Sequence, residues 1–581
     1  MTSENELLLK NCHVVDPANS IDGEIMDLSI SNGRIVDSVS NKAEVVDIGE
    51  RLVMPGGVDM HSHILGSKLS MARLLSPELH RQEPLSRADY PRSGSGHVLP
   101  SSYIVGYRYS EMGYTTVVEP AVLPLKALSC WEELADVTNL HMGMLPLFCN
   151  STVTFHYLQE GDLEGLAGYI SWILRNTGGW GVKLVNPGGV YAWAHGSNVH
   201  GLDDEIPDWT VTPRDIIVGV AETVETLGLP HVTHLHPNNL GTVGNLETTL
   251  ETLEALKQIA GRSQRDQIVH LTHISFEAMS SCTNGSKSWD EIESGGLQLA
   301  DYANKNKHFT ADLGQITFGE AMTMTGDGPF QESLYNLTGN KWANLAVDAE
   351  MPGGGGVVPY YYSKKSLVNS VQWTIGLEYA LSVDDIWRCV VTTDSPNAGP
   401  FTRYPLVFSW LMSKKQRVNW LDGLHPEARK RSALESMDRE WSLYELAIST
   451  RAAPAKILGI DERKGHLGVG ADADISVYDI VPGNTELAAN PEQIVRGFRK
   501  TYMTLLDGEP VLKNNCLGTL HGHVFTVSPT LRDALYERME GELKKTFKKW
   551  YSHSFSNYPV PSRYRSPYER KSEIRCEDLS F

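Results

Sequence analysis

His61 and His63 stand two residues apart at the end of a strand-like segment that begins at Pro55-Gly56-Gly57-Val58. Side chains alternate along a strand, so both imidazoles fall on one face, where a single cation can take both. An isolated His-x-His is weak evidence, because two histidines often do no more than close a strand. Its weight comes from the rest of the chain. Lys183 sits inside the apolar run Trp180-Gly181-Val182-Lys183-Leu184-Val185, where an ammonium is costly to bury. Uptake of CO₂ by the neutral amine would place a carbamate there, an anionic oxygen ligand able to bridge two metals. The plainer reading is a lysine that snorkels or pairs with an acid. His231-Val232-Thr233-His234-Leu235-His236 ends another strand-like run, and Ile268-Val269-His270-Leu271 leads to His273. His236 and His273 are the expected ligands, since strand ends reach furthest into a barrel mouth. His234 competes with His236, while His231 and His270 read as core or supporting groups. Asp394, in Thr392-Thr393-Asp394-Ser395-Pro396-Asn397, puts a carboxylate where an apolar strand stops, a place a turn aspartate also takes.

In chain order, His61, His63, Lys183, His236, His273 and Asp394 suit two divalent cations, and nitrogen and oxygen ligands favour zinc. His61, His63 and Asp394 would hold one ion, His236 and His273 the other, with N6-carboxylated Lys183 bridging them. Such a centre makes water acidic near neutral pH. Asp394 could take up the proton and pass it to a departing amine. The expected chemistry is metal-dependent hydrolysis of a C–N bond.

Ligands that punctuate successive apolar runs call for a parallel barrel, whose strands all end at one mouth. Residues 56–451 alternate strand-like runs with helical stretches at 214–228 and 246–260, and are predicted to form an α/β domain, a (β/α)₈ TIM barrel. The strands singled out are 115–118, 181–185, 231–235, 268–271 and 389–392. Residues 1–55 and 452–525 read as short strands and turns. Asn32-Gly33 marks a hairpin, and Gly470-Ala471-Asp472-Ala473-Asp474 leads into Ile475-Ser476-Val477-Tyr478. The two segments are expected to assemble one small β-sandwich domain. Residues 526–581 are left as a helical and extended tail, with an amphipathic helix from Leu531 to Lys549, expected to pack on another surface or on a partner subunit.

A formal net charge of −20 argues against a nucleic-acid surface, which needs a basic patch. The seven cysteines contain no Cys-x-x-Cys pair, so they read as reduced thiols of a cytoplasmic protein and not as disulfides or iron–sulfur ligands. No apolar run approaches the roughly 18 residues that span a bilayer, and the N-terminus lacks a signal-peptide core.

At these residues the sequence resembles the amidohydrolase superfamily. Gly465-His466-Leu467-Gly468-Val469-Gly470-Ala471-Asp472-Ala473-Asp474 is similar to the β-domain return of dihydroorotases and hydantoinases. A fuller resemblance is to the family of hydrolase subunits found in formylmethanofuran dehydrogenase and in the bacterial formyltransferase/hydrolase complex. It is carried by Gly56 to His63, Met112 to Ala121, Val185 to Gly189, His234 to Gly241, Thr323 to Pro329, and Gln372-Trp373 with Gly376-Leu377-Glu378. The resemblance implies a dinuclear zinc site that interconverts N-formylmethanofuran with formate and methanofuran, inside a multi-subunit complex whose redox centres lie on other subunits. It carries the metal positions onto the same six residues. Ser395 departs from it, standing where that family has a histidine. The Gly-rich Pro352 to Pro359 leans towards the bacterial hydrolase branch. The alternatives are a stand-alone dihydroorotase- or hydantoinase-like enzyme and a non-catalytic scaffold subunit.

Overall fold

A strand covered on both faces must be apolar nearly throughout, and a parallel barrel is built from such strands. The computed structural model describes residues 6–576 apart from 78, 80–97, 284, 340, 348–350, 485 and 553. Eight short strands carry the site: β1 (Gly57–Asp59), β2 (Tyr114–Val122), β3 (His141–Pro146), β4 (Lys183–Val185), β5 (Thr233–His236), β6 (Val269–Leu271), β7 (Phe309–Asp312) and β8 (Cys389–Val390). β1, β2 and β3 pair in parallel, as do β4 to β8 in order. Two parallel bridges join these sets into a ring, Leu147 with Lys183 and Ser62 with Ser395. Helices fill the crossovers, among them Leu163–Thr177, Pro213–Thr226 and Asn245–Ala260. The second opens with Pro213 behind a Thr212–Asp215 capping box, which satisfies its first amides. β3 and β7 were not among the strands singled out from the sequence.

The two terminal segments meet in one nine-stranded sheet. Its join is antiparallel pairing of Leu52–Pro55 with Ile475–Tyr478, with Ile475 opposite Pro55. Asn32 and Gly33 turn the strand Ile21–Ser31 back onto Arg34–Val36, with φ of 51° and 79°, the left-handed pair that a two-residue hairpin needs. The buried Arg451 donates to Pro55 O and to the Tyr478 hydroxyl, which in turn donates to Met112 O, tying this sheet to the barrel.

The C-terminal residues pack on this chain's own barrel. Strand Val524–Thr530 lies beside β3, with Val524 opposite Met142, and pairs in parallel with Glu569–Arg575. Helix Asp533–Trp550 lies against Leu163–Thr177, where Gly168 leaves room for Met539. Arg532–Glu164 (2.6 Å) and Arg538–Asp162 (2.7 Å) pair at the rim. An insertion between β7 and β8 forms the antiparallel strands Gly319–Thr325, Ala343–Val347 and Met351–Tyr362, and its residues Thr323 to Gly326 form one wall of the barrel mouth.

Candidate metal centre

All six residues expected from the sequence line one cavity of about 930 Å³, counted to its open mouth, at the C-terminal ends of the strands. β1 delivers His61 and His63 through Asp59, which is fully buried and accepts from the His61 amide (3.1 Å) and the Tyr109 and Tyr404 hydroxyls (2.8 and 2.5 Å). Each Nε2 of His61 and His63 lies 3.2 Å from Asp394 Oδ1. The other ring nitrogens are held from behind. His63 Nδ1 meets Glu119 Oε1 at 2.9 Å, and His61 Nδ1 meets Asp312 Oδ2 at 3.0 Å. Glu119 also accepts from Lys68 Nζ (2.5 Å) and the Ile64 amide (2.9 Å). Burial would push its carboxyl up, but Lys68 and His63 hold it down at about 2. Asp394 follows the same logic: burial raises it, while His61 and His273, with hydrogen bonds from His61 and His63, hold it well below the usual carboxylate range.

His273 and Asp394 both adopt left-handed backbone, at φ of 35° and 45°. Such conformations in non-glycine residues cost free energy and cluster at functional sites. Gly314 makes the first possible, because a Cβ there would come within 2.2 Å of the His273 Cβ. The His273 amide donates to Asp312 Oδ1 (3.0 Å), which also accepts from the Thr392 hydroxyl (2.5 Å).

The opposite side of the cavity holds His236, His273 and Lys183, and behind them Glu277 in the short helix Ile274–Glu277. His236 Nε2, His273 Nδ1, Lys183 Nζ and both Glu277 carboxylate oxygens are buried without a hydrogen-bond partner. Asp327 Oδ2 lies 2.8 Å from His236 Nε2 but without the alignment of a hydrogen bond. An unsatisfied buried polar atom costs about 1–3 kcal/mol, so this corner is destabilised unless something binds there. Imidazole nitrogens and carboxylate oxygens that converge unprotected are the donor set of a divalent cation, and they fit one. The ligand atoms of His61, His63 and Asp394 lie within 4.8 Å of one another, as do those of His236, His273 and Glu277. Burial brings the Lys183 ammonium down to about 8, against the pull of Asp394 and Asp312. Burial, with Asp327 beside it, pushes the Glu277 carboxyl well above its ordinary range.

β5 settles which histidine faces the cavity. His236 lines it, whereas His234 points into the barrel, between His61 Nδ1 (3.1 Å) and His231 Nε2 (3.0 Å). His231 ends this row of imidazoles at Ile457 O (2.9 Å). Burial, eased slightly by that carbonyl, brings His231 down to about 3. The unfolded chain therefore binds this proton below pH ~6.5 and the folded chain does not until about 3. Stability must fall over that window by roughly 1.4 kcal/mol per pH unit from this residue. The urea midpoint of His231→Gln is expected to fall less steeply than wild type between pH ~6 and ~4.5; equal slopes would show that His231 titrates normally.

Sequence reasoning missed Glu119, Asp312, Glu277 and Asp327, lone acids with no periodic signal. The signal available was an acid inside an apolar run, as in Thr116-Val117-Val118-Glu119 and Phe309-Thr310-Ala311-Asp312. Ser395 does not line the cavity; its hydroxyl accepts from the Phe401 amide (3.1 Å), and its carbonyl accepts from the His63 amide (2.8 Å).

A ring of eight parallel strands whose mouth gathers histidines, a lysine and an aspartate defines the metal-dependent amidohydrolase class. The amidohydrolase family profile matches residues 44–512. The chain is 43% identical over 580 residues to Protein FwdA of Methanocaldococcus jannaschii, covering 99% of this chain and 100% of that one. It is 33% identical over 542 residues to the FhcA component of the formyltransferase/hydrolase complex of Methylorubrum extorquens, covering 92% and 93%. The crystal structure of the FhcABCD complex from that organism, with methylofuran, superposes with a TM-score of 0.86 at 30% identity, over 98% of this chain and 100% of that one. The chain thus belongs to the amidohydrolase family, and within it to the group of FwdA and FhcA. Among the described residues no helix is long and apolar enough to cross a membrane.

Proposed function

We propose that the chain interconverts N-formylmethanofuran with formate and methanofuran, as the amidohydrolase subunit of a cytoplasmic one-carbon complex. His61, His63 and Asp394 would hold one zinc ion, His236 and His273 a second, and N6-carboxylated Lys183 would bridge them. The observation that carries this reading is the convergence of all six side chains on one cavity, with Lys183, His236 and His273 left unpartnered. The likeness over nearly the whole chain to a protein whose complex was solved with methylofuran supports the substrate. Likeness to dihydroorotases, 48% identity to that of Elusimicrobium minutum, spans only 10% of this chain, which weighs against a stand-alone cyclic amidohydrolase. Identity is higher to FwdA than to FhcA, the reverse of the lean from the Gly-rich segment.

Bound divalent cations supply Lewis acidity, polarising a carbonyl and making water acidic near neutral pH. The rest falls to the chain's own groups. Asp394, ionised and 3.2 Å from two imidazoles, accepts a proton and returns it to the departing amine. Glu119 and Asp312 fix the rings of His63 and His61, so those side chains need no reorganisation. Leu65, Val122, Leu147, Leu240, Phe276 and Phe330 wall the cavity with apolar surface that takes the furan body and excludes bulk water.

The test is to purify the native complex, identify its partners and assay formate release from N-formylmethanofuran beside dihydroorotate hydrolysis. Formate release with a formyltransferase or a redox subunit in attendance is expected. Turnover of dihydroorotate alone would sink the proposal.

A further inference from the structure

The buried groups that the six-residue centre does not use gather around Glu277. It is fully buried, and both carboxylate oxygens lack a hydrogen-bond partner. Oε1 lies 3.7 Å from His236 Nε2 and 3.9 Å from His273 Nδ1. Those two nitrogens are themselves unpartnered. The separations are too long for hydrogen bonds. They are the separations of donors that share one cation, since ligand atoms about 2.1 Å from a common ion stand roughly 3–4 Å apart. The charges point the same way. The charged groups that act on Glu277 are Asp327 and Lys183. Carboxylation would turn that lysine into an anion, leaving Glu277 among acids and neutral imidazoles. A buried carboxyl in such company takes either a proton or a cation, and the separations from the two imidazoles are those of a shared cation.

We propose that Glu277 is a further protein ligand of the second ion, joining His236, His273 and the bridging Lys183 group at a site to which the strand ends supply no carboxylate of Asp or Glu. The inference rests on the proposed dinuclear centre. It makes the two halves alike, each with two imidazoles and one carboxylate. Its carboxylate comes from the helix behind β6 and not from a strand end. Asp327 Oδ2, 2.8 Å from His236 Nε2, accepts from the Thr325 hydroxyl (2.6 Å).

The experiment is cobalt(II) titration of the metal-stripped full-length chain, read by metal analysis and by visible d–d absorption. Wild type is expected to bind two cobalt ions. Glu277→Gln should keep the ion at His61, His63 and Asp394 but bind the other at least 10-fold more weakly, with an altered d–d band. Asp394→Asn should perturb the opposite ion. Should the glutamine variant not fold, Glu277→Asp keeps the charge but shortens the reach, and is expected to show the same selective loss. Two ions bound by either folded variant with unchanged affinity and spectrum would overturn the role of Glu277 and leave the dinuclear centre standing. A wild-type chain that binds no cobalt would overturn the centre itself, and this inference with it.

Discussion

Asp394→Asn is expected to lower turnover of the formyl substrate by about 10³-fold while most of the metal stays bound, because general acid–base catalysis is worth roughly 10²–10⁴. The amide is isosteric with the carboxylate and keeps an oxygen toward His61 and His63, but it can neither take up nor return a proton. The carboxylate is also well placed for the task. It stands 3.2 Å from both imidazoles, and Asn397 Nδ2 donates to the same Oδ1 at 2.9 Å, so it meets the substrate in one orientation. Steady-state kinetics with metal analysis on the same preparation checks this. A variant that retains its metal and the full rate would remove Asp394 from the proton path.

Lys183→Ala is expected to be more severe, since it removes the group proposed to bridge both ions. Metal content should fall to about one ion per chain or less, and activity by more than about 10⁴-fold. Lys183 is 1% exposed, with Nζ unpartnered, so the deletion leaves a cavity open to the site. A short carboxylic acid such as propionate should enter it and restore part of both metal binding and rate. The apo chain makes a second contrast. Burying an unpaired amine costs free energy, so Lys183→Met should be no less stable than wild type in urea when both are metal-free. An alanine variant with two ions and full rate would show that Lys183 carries no bridging group. A sharp loss of apo stability in the methionine variant would make it a structural residue.

The cavity-lining histidines could be read in advance because their signal is local. Alternation along a strand places His61 with His63, and His234 with His236, on shared faces whatever the rest of the chain does. Strand runs rich in β-branched residues, the Asn32-Gly33 turn and the Thr212–Asp215 cap are local in the same sense, each set by a few neighbouring residues. Periodicity could not choose between His234 and His236, because both lie on one face. The choice depends on depth in the closed ring, where His234 meets His61 and His231 and His236 meets the cavity. The supporting acids were illegible for a related reason. Glu119, Asp312, Glu277 and Asp327 are single carboxylates with no periodicity, and only Glu119 and Asp312 are marked at all, each as an acid closing an apolar run. They acquire meaning only where folding sets Glu119 against His63 and Asp312 against His61, pairs far apart along the chain. Burial then makes each of them matter. A lone acid on a surface is solvated and silent, while the same acid enclosed beside unpartnered imidazoles must find a proton, a donor or a metal.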